Sequence, residues 1–144
     1  MRLAFSLIVS LLLFLLPAAA DKRVTLFIGN SAYANFVALP NASTYALAMT
    51  KKLQGLGFEV VVGVDLDLET MQQRLQKFKQ KLPESDIAAL FYSGHGFDVR
   101  GTTFLVPVNA KLTGDADVKT QTMTLAKAMA AMSRVARVKL VFID

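Results

Sequence analysis

Short apolar runs alternate along the chain with segments of helical periodicity. Runs rich in β-branched and aromatic residues predict strands at residues 24–28, 58–64 and 87–92, and a later run predicts another at 138–143. These runs lack polar alternation, which is typical of strands that are covered on both faces, as in a parallel sheet.

Between the strands, apolar residues recur at spacings of three and four and predict amphipathic helices. The first helix ends before Gly57, and the second begins after Asp67 as its N-cap and ends before Pro83. A third helix begins near Thr124. The apolar positions of the helices are, in order, Ala42, Ala46, Met49, Leu53 and Leu56, then Leu68, Met71, Leu75, Phe78 and Leu82, then Leu125, Met129 and Met132.

Alternating strands and helices predict βαβ units, a mainly parallel sheet and helices on both of its faces. The predicted fold class is therefore α/β, a three-layer sandwich. Residues 102–108 are expected to form the short strand of a hairpin that turns at Arg100 and Gly101, and Asp115 and Asp117 are expected in a polar connection. The methionines of the predicted helices are interpreted as core residues.

The first twenty residues have the pattern of an export signal. Arg2 gives a positive start, residues 3–16 are apolar except for two serines, and Ala18, Ala19 and Ala20 precede Asp21 as a small-residue cleavage site. The apolar run of about 14 residues is shorter than the ~20 that span a bilayer as a helix. We expect residues 1–20 to be removed, the mature protein to be periplasmic or secreted, and no stable membrane span to remain.

Charge, motif content and cysteine content argue against nucleic-acid, nucleotide and metal binding. The formal net charge of +5 falls to +4 without Arg2, and the cluster of Lys77, Lys79 and Lys81 is typical of a solvated helix face, so no nucleic-acid partner is expected. Neither of the phosphate-binding patterns Gly-x-Gly-x-x-Gly and Gly-x-x-x-x-Gly-Lys-Ser/Thr occurs in the sequence. The aspartate pairs 65/67 and 115/117 supply too few ligands for a calcium-binding loop. We expect no cofactor and no metal. The sequence has no cysteine, so disulfides do not stabilise it.

His95 is the one histidine, and it lies between Gly94 and Gly96 directly after the third predicted strand. The carboxyl ends of parallel strands are where open α/β sheets place their chemistry. Flanking glycines are expected to allow a sharp turn that leaves the imidazole in a cleft. The placement predicts a general base or acid that serves a nucleophile at the end of a neighbouring strand, near Asp144. Tyr33 and Phe36 are interpreted as loop packing or cleft rim.

Five motif blocks in order resemble the caspase domain of bacterial metacaspase-like cysteine peptidases of the C14 family. They are Leu-Phe-Ile-Gly-Asn at 26–30, Leu-Pro-Asn-Ala at 39–42, Phe-Tyr-Ser-Gly-His-Gly at 91–96, Phe-Leu-Val-Pro-Val at 104–108 and Val-Phe-Ile-Asp at 141–144. The similarity covers residues 23–144, and the block around His95 is its most specific part.

The resemblance implies a caspase-haemoglobinase-like fold over residues 21–144 and a cysteine-type endopeptidase acting on peptides or proteins. It makes His95 the catalytic histidine and Gly96 an oxyanion-hole donor, and it places the nucleophilic cysteine two residues after Asp144. The histidine-to-cysteine spacing of about 50 residues in caspases agrees with a position near 146. We therefore expect a domain truncated at its C-terminal end.

The resemblance also implies binding of an Arg or Lys side chain ahead of the scissile bond. Ser93 and Asp144 match two positions of that substrate pocket, whereas Tyr45 stands where the family has an aspartate. Two alternatives to a peptidase remain open: a non-catalytic caspase-like binding module or pseudo-enzyme, and an α/β domain with an unrelated ligand at the same sheet edge. The oligomeric state is left open.

Overall fold

The computed structural model describes residues 21–133 and 137–144. The expected export signal, residues 1–20, lies outside the described residues. In chain order the elements are β1 (Arg23–Gly29), α1 (Ala42–Gly55), β2 (Phe58–Val64), α2 (Leu68–Lys81), β3 (Ile87–Ser93), β4 (Gly96–Val99), β5 (Thr102–Leu105), α3 (Asp115–Gln121), β6 (Met123–Thr124), α4 (Leu125–Ala130) and β7 (Val138–Ile143).

A four-stranded sheet in the order β2-β1-β3-β7 forms the centre of the domain, and its neighbouring strands run parallel. In the register of the sheet, Leu26 of β1 lies beside Val61 of β2 and Leu90 of β3. A smaller antiparallel sheet in the order β4-β5-β6 follows β3. The four strands predicted for the central sheet are confirmed, and so is the mainly parallel sheet.

Each face of the central sheet has its own apolar cluster. On one face, Phe27 of β1 packs with Ala46 and Leu53 of α1. On the other face, a larger cluster joins the sheet to α2 and to the segment around α4; its fully buried members include Leu26, Ile28, Met71, Phe78, Leu90, Tyr92 and Met132. Helices therefore cover both faces, and the predicted α/β class with flanking helices is confirmed.

The ends of the helices follow from local chemistry. The Asp67 carboxylate accepts the Thr70 N–H at 2.7 Å and caps α2, and the Thr124 hydroxyl accepts the Lys127 N–H at 3.2 Å and caps α4. Gly57 follows α1 with φ of 79°, a conformation that glycine adopts without steric cost. The predicted stop at Gly57 and the N-cap at Asp67 are both confirmed.

Three sequence predictions are wrong in detail. Asp115 and Asp117, expected in a polar connection, lie in helix α3, and the strand predicted at 102–108 ends at Leu105. Helix α3 buries none of its residues, so it leaves no apolar periodicity in the sequence. Met129 is exposed, because the face of α4 that packs into the core is the one that carries Ala128.

Within 21–133 and 137–144, no helix is both long and apolar enough to cross a membrane.

Candidate active site

The carboxyl ends of the parallel strands meet at one edge of the sheet and form a cavity of about 490 Å³ there. The edge carries Asn30 after β1, Asp65 after β2, Gly94 after β3 and Asp144 after β7. The cavity is lined by Leu39, Pro40, Asn41, Ala42, Tyr45, Ser93, Gly94, His95, Gly96 and Asp144. All of the site residues singled out in the sequence, Tyr45, Ser93, His95, Gly96 and Asp144, therefore lie around a single cavity.

The imidazole of His95 is tied to the loop between β1 and α1. Its Nε2 lies 2.7 Å from the carbonyl oxygen of Val37. A carbonyl oxygen can only accept a hydrogen bond, so Nε2 carries the hydrogen in this contact. In the neutral ring, Nδ1 is then the nitrogen with a free lone pair. The geometry leaves His95 with one nitrogen anchored and one available as a base.

Two aromatic rings of the same loop pack against the imidazole. The ring centroid of Tyr33 lies 4.6 Å from that of His95, and the Phe36 centroid lies 5.8 Å away. These contacts and the bond to Val37 come from a five-residue stretch of sequence, 33–37. The loop therefore constrains the plane of the imidazole as well as one of its nitrogens.

Beneath His95, two tyrosine hydroxyls hold the turn itself. The Tyr33 hydroxyl accepts the backbone N–H of His95 at 2.8 Å, and the Tyr92 hydroxyl lies 2.6 Å from the His95 carbonyl oxygen. The Val106 N–H donates to the Tyr92 hydroxyl at 3.1 Å. Burial raises the pKa of Tyr33, and burial followed by the nearby Tyr33 raises the pKa of Tyr92. Both tyrosines are therefore neutral hydrogen-bonding groups at ordinary pH.

Gly94, beside His95, serves a different purpose from the one expected. Among the described residues, the glycines with positive φ are Gly57 and Gly101, so neither Gly94 nor Gly96 needs the left-handed region. A Cβ at position 94 would lie 2.6 Å from the Tyr33 hydroxyl and 2.8 Å from the Tyr92 hydroxyl. Glycine is required at 94 because the tyrosine hydroxyls approach the backbone closely.

The loop that carries Val37 is fixed at its start by side chains from neighbouring strands. The Asp65 carboxylate accepts the N–H groups of Ser31 and Ala32 at 2.6 and 2.9 Å. The fully buried Asn30 donates to the Val106 carbonyl at 3.1 Å and accepts the Leu66 N–H at 2.9 Å. These contacts connect the ends of β1 and β2 with the segment after β5.

The far side of the cavity is polar and acidic. The Ser93 hydroxyl donates to a carboxylate oxygen of Asp144 at 3.3 Å, and the Asp144 N–H extends the strand pairing to the Tyr92 carbonyl. Tyr45 on α1 lines the cavity with its side chain about half exposed. A carboxylate, a hydroxyl and an aromatic ring therefore face the same space as His95.

The contributions of Tyr33, Val37 and Asp65 to the site were not predicted from the sequence. Tyr33 packs against Phe36 and other loop residues, as predicted, and in addition it is buried against His95. Val37 acts through its carbonyl oxygen, which no side-chain pattern can reveal. Asp65 did carry a signal, because an aspartate directly after a buried parallel strand lies at the functional edge of the sheet.

No group of three or more potential metal ligands among His, Cys, Asp and Glu occurs in the described part of the chain. The chemistry available at the cavity is that of an imidazole base, a carboxylate and hydroxyl groups.

Comparison with known proteins agrees with this arrangement. The profile of the peptidase C14 caspase domain matches residues 22–144. A human protein, mucosa-associated lymphoid tissue lymphoma translocation protein 1, is 35% identical over 94 residues, which are 65% of this chain and 11% of the relative. Its mouse homologue matches with the same identity and coverage. The chain thus spans only a small part of these relatives. With the domain profile matched over nearly the whole described sequence, the chain belongs to the caspase-domain family of C14 peptidases.

Proposed function

We propose that this domain is the histidine-bearing part of a cysteine endopeptidase in which His95 is the general base and acid. The observation that carries the proposal is the 2.7 Å contact between Nε2 of His95 and the Val37 carbonyl oxygen, which leaves Nδ1 as the basic nitrogen of a histidine that lines the cavity. The 144 residues contain no cysteine. The proposed nucleophile is therefore supplied from outside them, two residues after Asp144 by analogy with the family.

In this proposal, Nδ1 of His95 accepts the thiol proton, and the thiolate sulfur attacks the carbonyl carbon of the scissile peptide. The oxyanion that forms is stabilised by the Gly96 backbone N–H, which lies at the cavity wall directly after His95. The imidazolium then gives its proton to the leaving amine, and a thioester remains. Water, deprotonated by the same nitrogen, hydrolyses the thioester and regenerates the thiol.

We also propose that the cavity receives a basic side chain ahead of the scissile bond. The Asp144 carboxylate, held near the Ser93 hydroxyl, can pair with a guanidinium or ammonium group. Tyr45 adds an aromatic face on which the planar guanidinium of Arg stacks better than the ammonium of Lys. The proposed preference is Arg, then Lys, with Asp excluded by charge repulsion.

The first experiment is to read the coding sequence beyond the Asp144 codon. A small residue followed by cysteine supports the peptidase, whereas another pair of residues contradicts the proposed dyad. The decisive assay then measures kcat/KM of the purified protein on peptides that differ only in Arg, Lys or Asp before the cleaved bond. Equal rates on all three peptides would contradict the basic-residue preference without touching the peptidase proposal.

Substitutions separate the roles in that assay. His95→Ala is expected to lower kcat by about 10²–10⁴-fold, the usual contribution of a general base. His95→Gln keeps an N–H donor for Val37 but has no base, so it should lose as much activity as His95→Ala. Asp144→Asn is expected to lower kcat/KM for Arg peptides about 10- to 100-fold, the loss of one charge-assisted hydrogen bond. Gln76→Ala on the exposed face of α2 is the matched surface control.

The competing proposal is a caspase-like module that binds peptides without cleaving them. Tyr45 favours it, because this tyrosine replaces a carboxylate that the family uses to hold substrate. A chain with no cysteine after Asp144 that still binds Arg peptides, and loses that binding in Asp144→Asn, would support the module over the enzyme.

We also propose that the protein is exported, on the basis of the signal pattern in residues 1–20. Expression of the whole chain in a bacterium followed by N-terminal sequencing of the periplasmic fraction tests it. A mature N-terminus at Asp21 is the expected result, and an intact Met1 in the cytoplasm would contradict it.

A further inference from the structure

Tyr33 touches His95 with both parts of its side chain. Its ring centroid lies 4.6 Å from the imidazole centroid, at an interplanar angle of 55°. Its hydroxyl oxygen accepts the backbone N–H of His95 at 2.8 Å. One residue therefore contacts the ring of His95 and also the backbone from which the ring projects.

Tyr33 is itself held in place. Its side chain is 8% exposed, its hydroxyl donates to the Val106 carbonyl at 3.3 Å, and the Tyr92 hydroxyl lies 3.5 Å away. Next to it, the Ala34 N–H donates to the Val108 carbonyl at 2.8 Å. The position of the phenol is therefore set by the segment after β5, independently of His95.

The hydroxyl of Tyr33 restricts which residue can occupy position 94. A Cβ on residue 94 would lie 2.6 Å from it, so the chain needs a glycine there to admit the hydroxyl. The Tyr92 hydroxyl would lie 2.8 Å from the same Cβ, so Gly94 admits both hydroxyls. The Tyr33 hydroxyl oxygen stabilises the turn because it accepts a hydrogen bond from the backbone N–H of His95. Without this acceptor, the partly buried N–H would lose its hydrogen bond, which costs free energy.

We propose that Tyr33 is the positioning residue of His95. Its ring limits rotation of the imidazole, and its hydroxyl fixes the peptide between Gly94 and His95, so that Nε2 stays on the Val37 carbonyl and Nδ1 stays free. The role of Nδ1 as a catalytic base rests on the proposed peptidase function. The positioning itself is a property of this chain and can be tested without activity.

NMR of the full chain tests the positioning directly, since His95 is the single histidine and gives one set of ring signals. Tyr33→Leu removes the aromatic ring and should change the chemical shifts of the His95 ring protons, because the ring current is lost. Tyr33→Phe keeps the ring and removes the hydroxyl; it should leave that shift in place but speed exchange of the His95 amide about 5- to 10-fold, the loss of one hydrogen bond. Phe78→Leu, a buried change in α2 away from the cavity, is the control for general destabilisation and should leave both signals unchanged.

In the protein that includes its nucleophile, Tyr33→Leu is expected to lower kcat about 10- to 100-fold, with KM changed less than about 2-fold, because a displaced base affects the chemical step. Phe78→Leu should retain kcat. Unchanged His95 ring and amide signals in both Tyr33 variants would overturn the positioning proposal, as would equal loss of kcat in Phe78→Leu. Absence of peptidase activity in the unsubstituted protein would overturn the proposed function alone, and the NMR result would still decide the role of Tyr33.

Discussion

The Nε2 atom of His95 and the carbonyl oxygen of Val37 lie 2.7 Å apart, in a contact that joins the loop after β3 to the loop after β1. The carbonyl cannot donate, so the neutral imidazole must carry its hydrogen on Nε2. We predict that nitrogen-15 NMR at a pH where the ring is neutral shows one tautomer, with Nε2 protonated and Nδ1 bare. A spectrum with Nδ1 protonated, or with an even mixture of the two tautomers, would contradict this geometry.

Asp65 is expected to control the loop that delivers the Val37 carbonyl. Its carboxylate accepts two backbone N–H groups, and its own φ of 51° lies in the left-handed region that asparagine tolerates better than alanine. Asp65→Ala should therefore lower the free energy of unfolding by roughly 2 kcal/mol, and Asp65→Asn by less. Urea unfolding measures both, and faster amide exchange at Ser31 and Ala32 should accompany the loss. An Asp65→Ala variant as stable as the unsubstituted chain would show that neither the hydrogen bonds nor the backbone conformation at position 65 contributes to stability.

The parts of the fold that bury apolar residues at regular spacing could be predicted from the sequence. The strands and the helices α1 and α2 carry such patterns, and the placement of His95 at the sheet edge followed from them. Helix α3 buries none of its residues and left no apolar pattern. Periodicity reports burial rather than helicity, so a helix that lies on the surface escapes it.

The candidate site was predictable only where side chains act near a strand end. His95 and the strand end at Asp144 were found because each ends or follows a parallel strand. Ser93, Tyr45 and Gly96, and the substrate-binding role of Asp144, came from the family resemblance. The contacts of Tyr33 and Val37 with His95 span 62 and 58 residues along the chain. Such contacts depend on how the loops fold over the sheet edge, and no local pattern in the sequence encodes them.

We predict that the protein loses stability in alkali because two buried tyrosines must stay protonated. Burial raises the pKa of both Tyr33 and Tyr92 above the ordinary value of 10.0. A group whose pKa is raised on folding stabilises the fold fully below the unfolded pKa, and this contribution is lost as pH rises above it. The free energy of unfolding should therefore fall as pH increases beyond about 10.

The phenolate absorbance gives a direct measurement of that prediction. The chain has three tyrosines, so a Tyr45→Phe background leaves only the two buried ones. As pH is raised, phenolate absorbance should then appear together with the loss of the circular-dichroism signal of the folded protein. Ionisation of both remaining tyrosines in a protein that keeps its native spectrum would contradict the buried, hydrogen-bonded environment described for them.

The last prediction concerns β7, which forms one edge of the central sheet in the part of the chain described. Phe142 stacks on Phe91 with centroids 4.4 Å apart, yet its side chain is 47% exposed, and Val138 and Leu140 on the same strand are also exposed. An apolar edge strand is a template for pairing with another chain. We expect concentration-dependent self-association in sedimentation velocity, reduced by Leu140→Lys. Leu47→Lys, the same change at an exposed leucine on α1, is the control and should associate like the unsubstituted chain. A monomer at all concentrations, or equal relief by both substitutions, would show that the exposed face of β7 does not drive association.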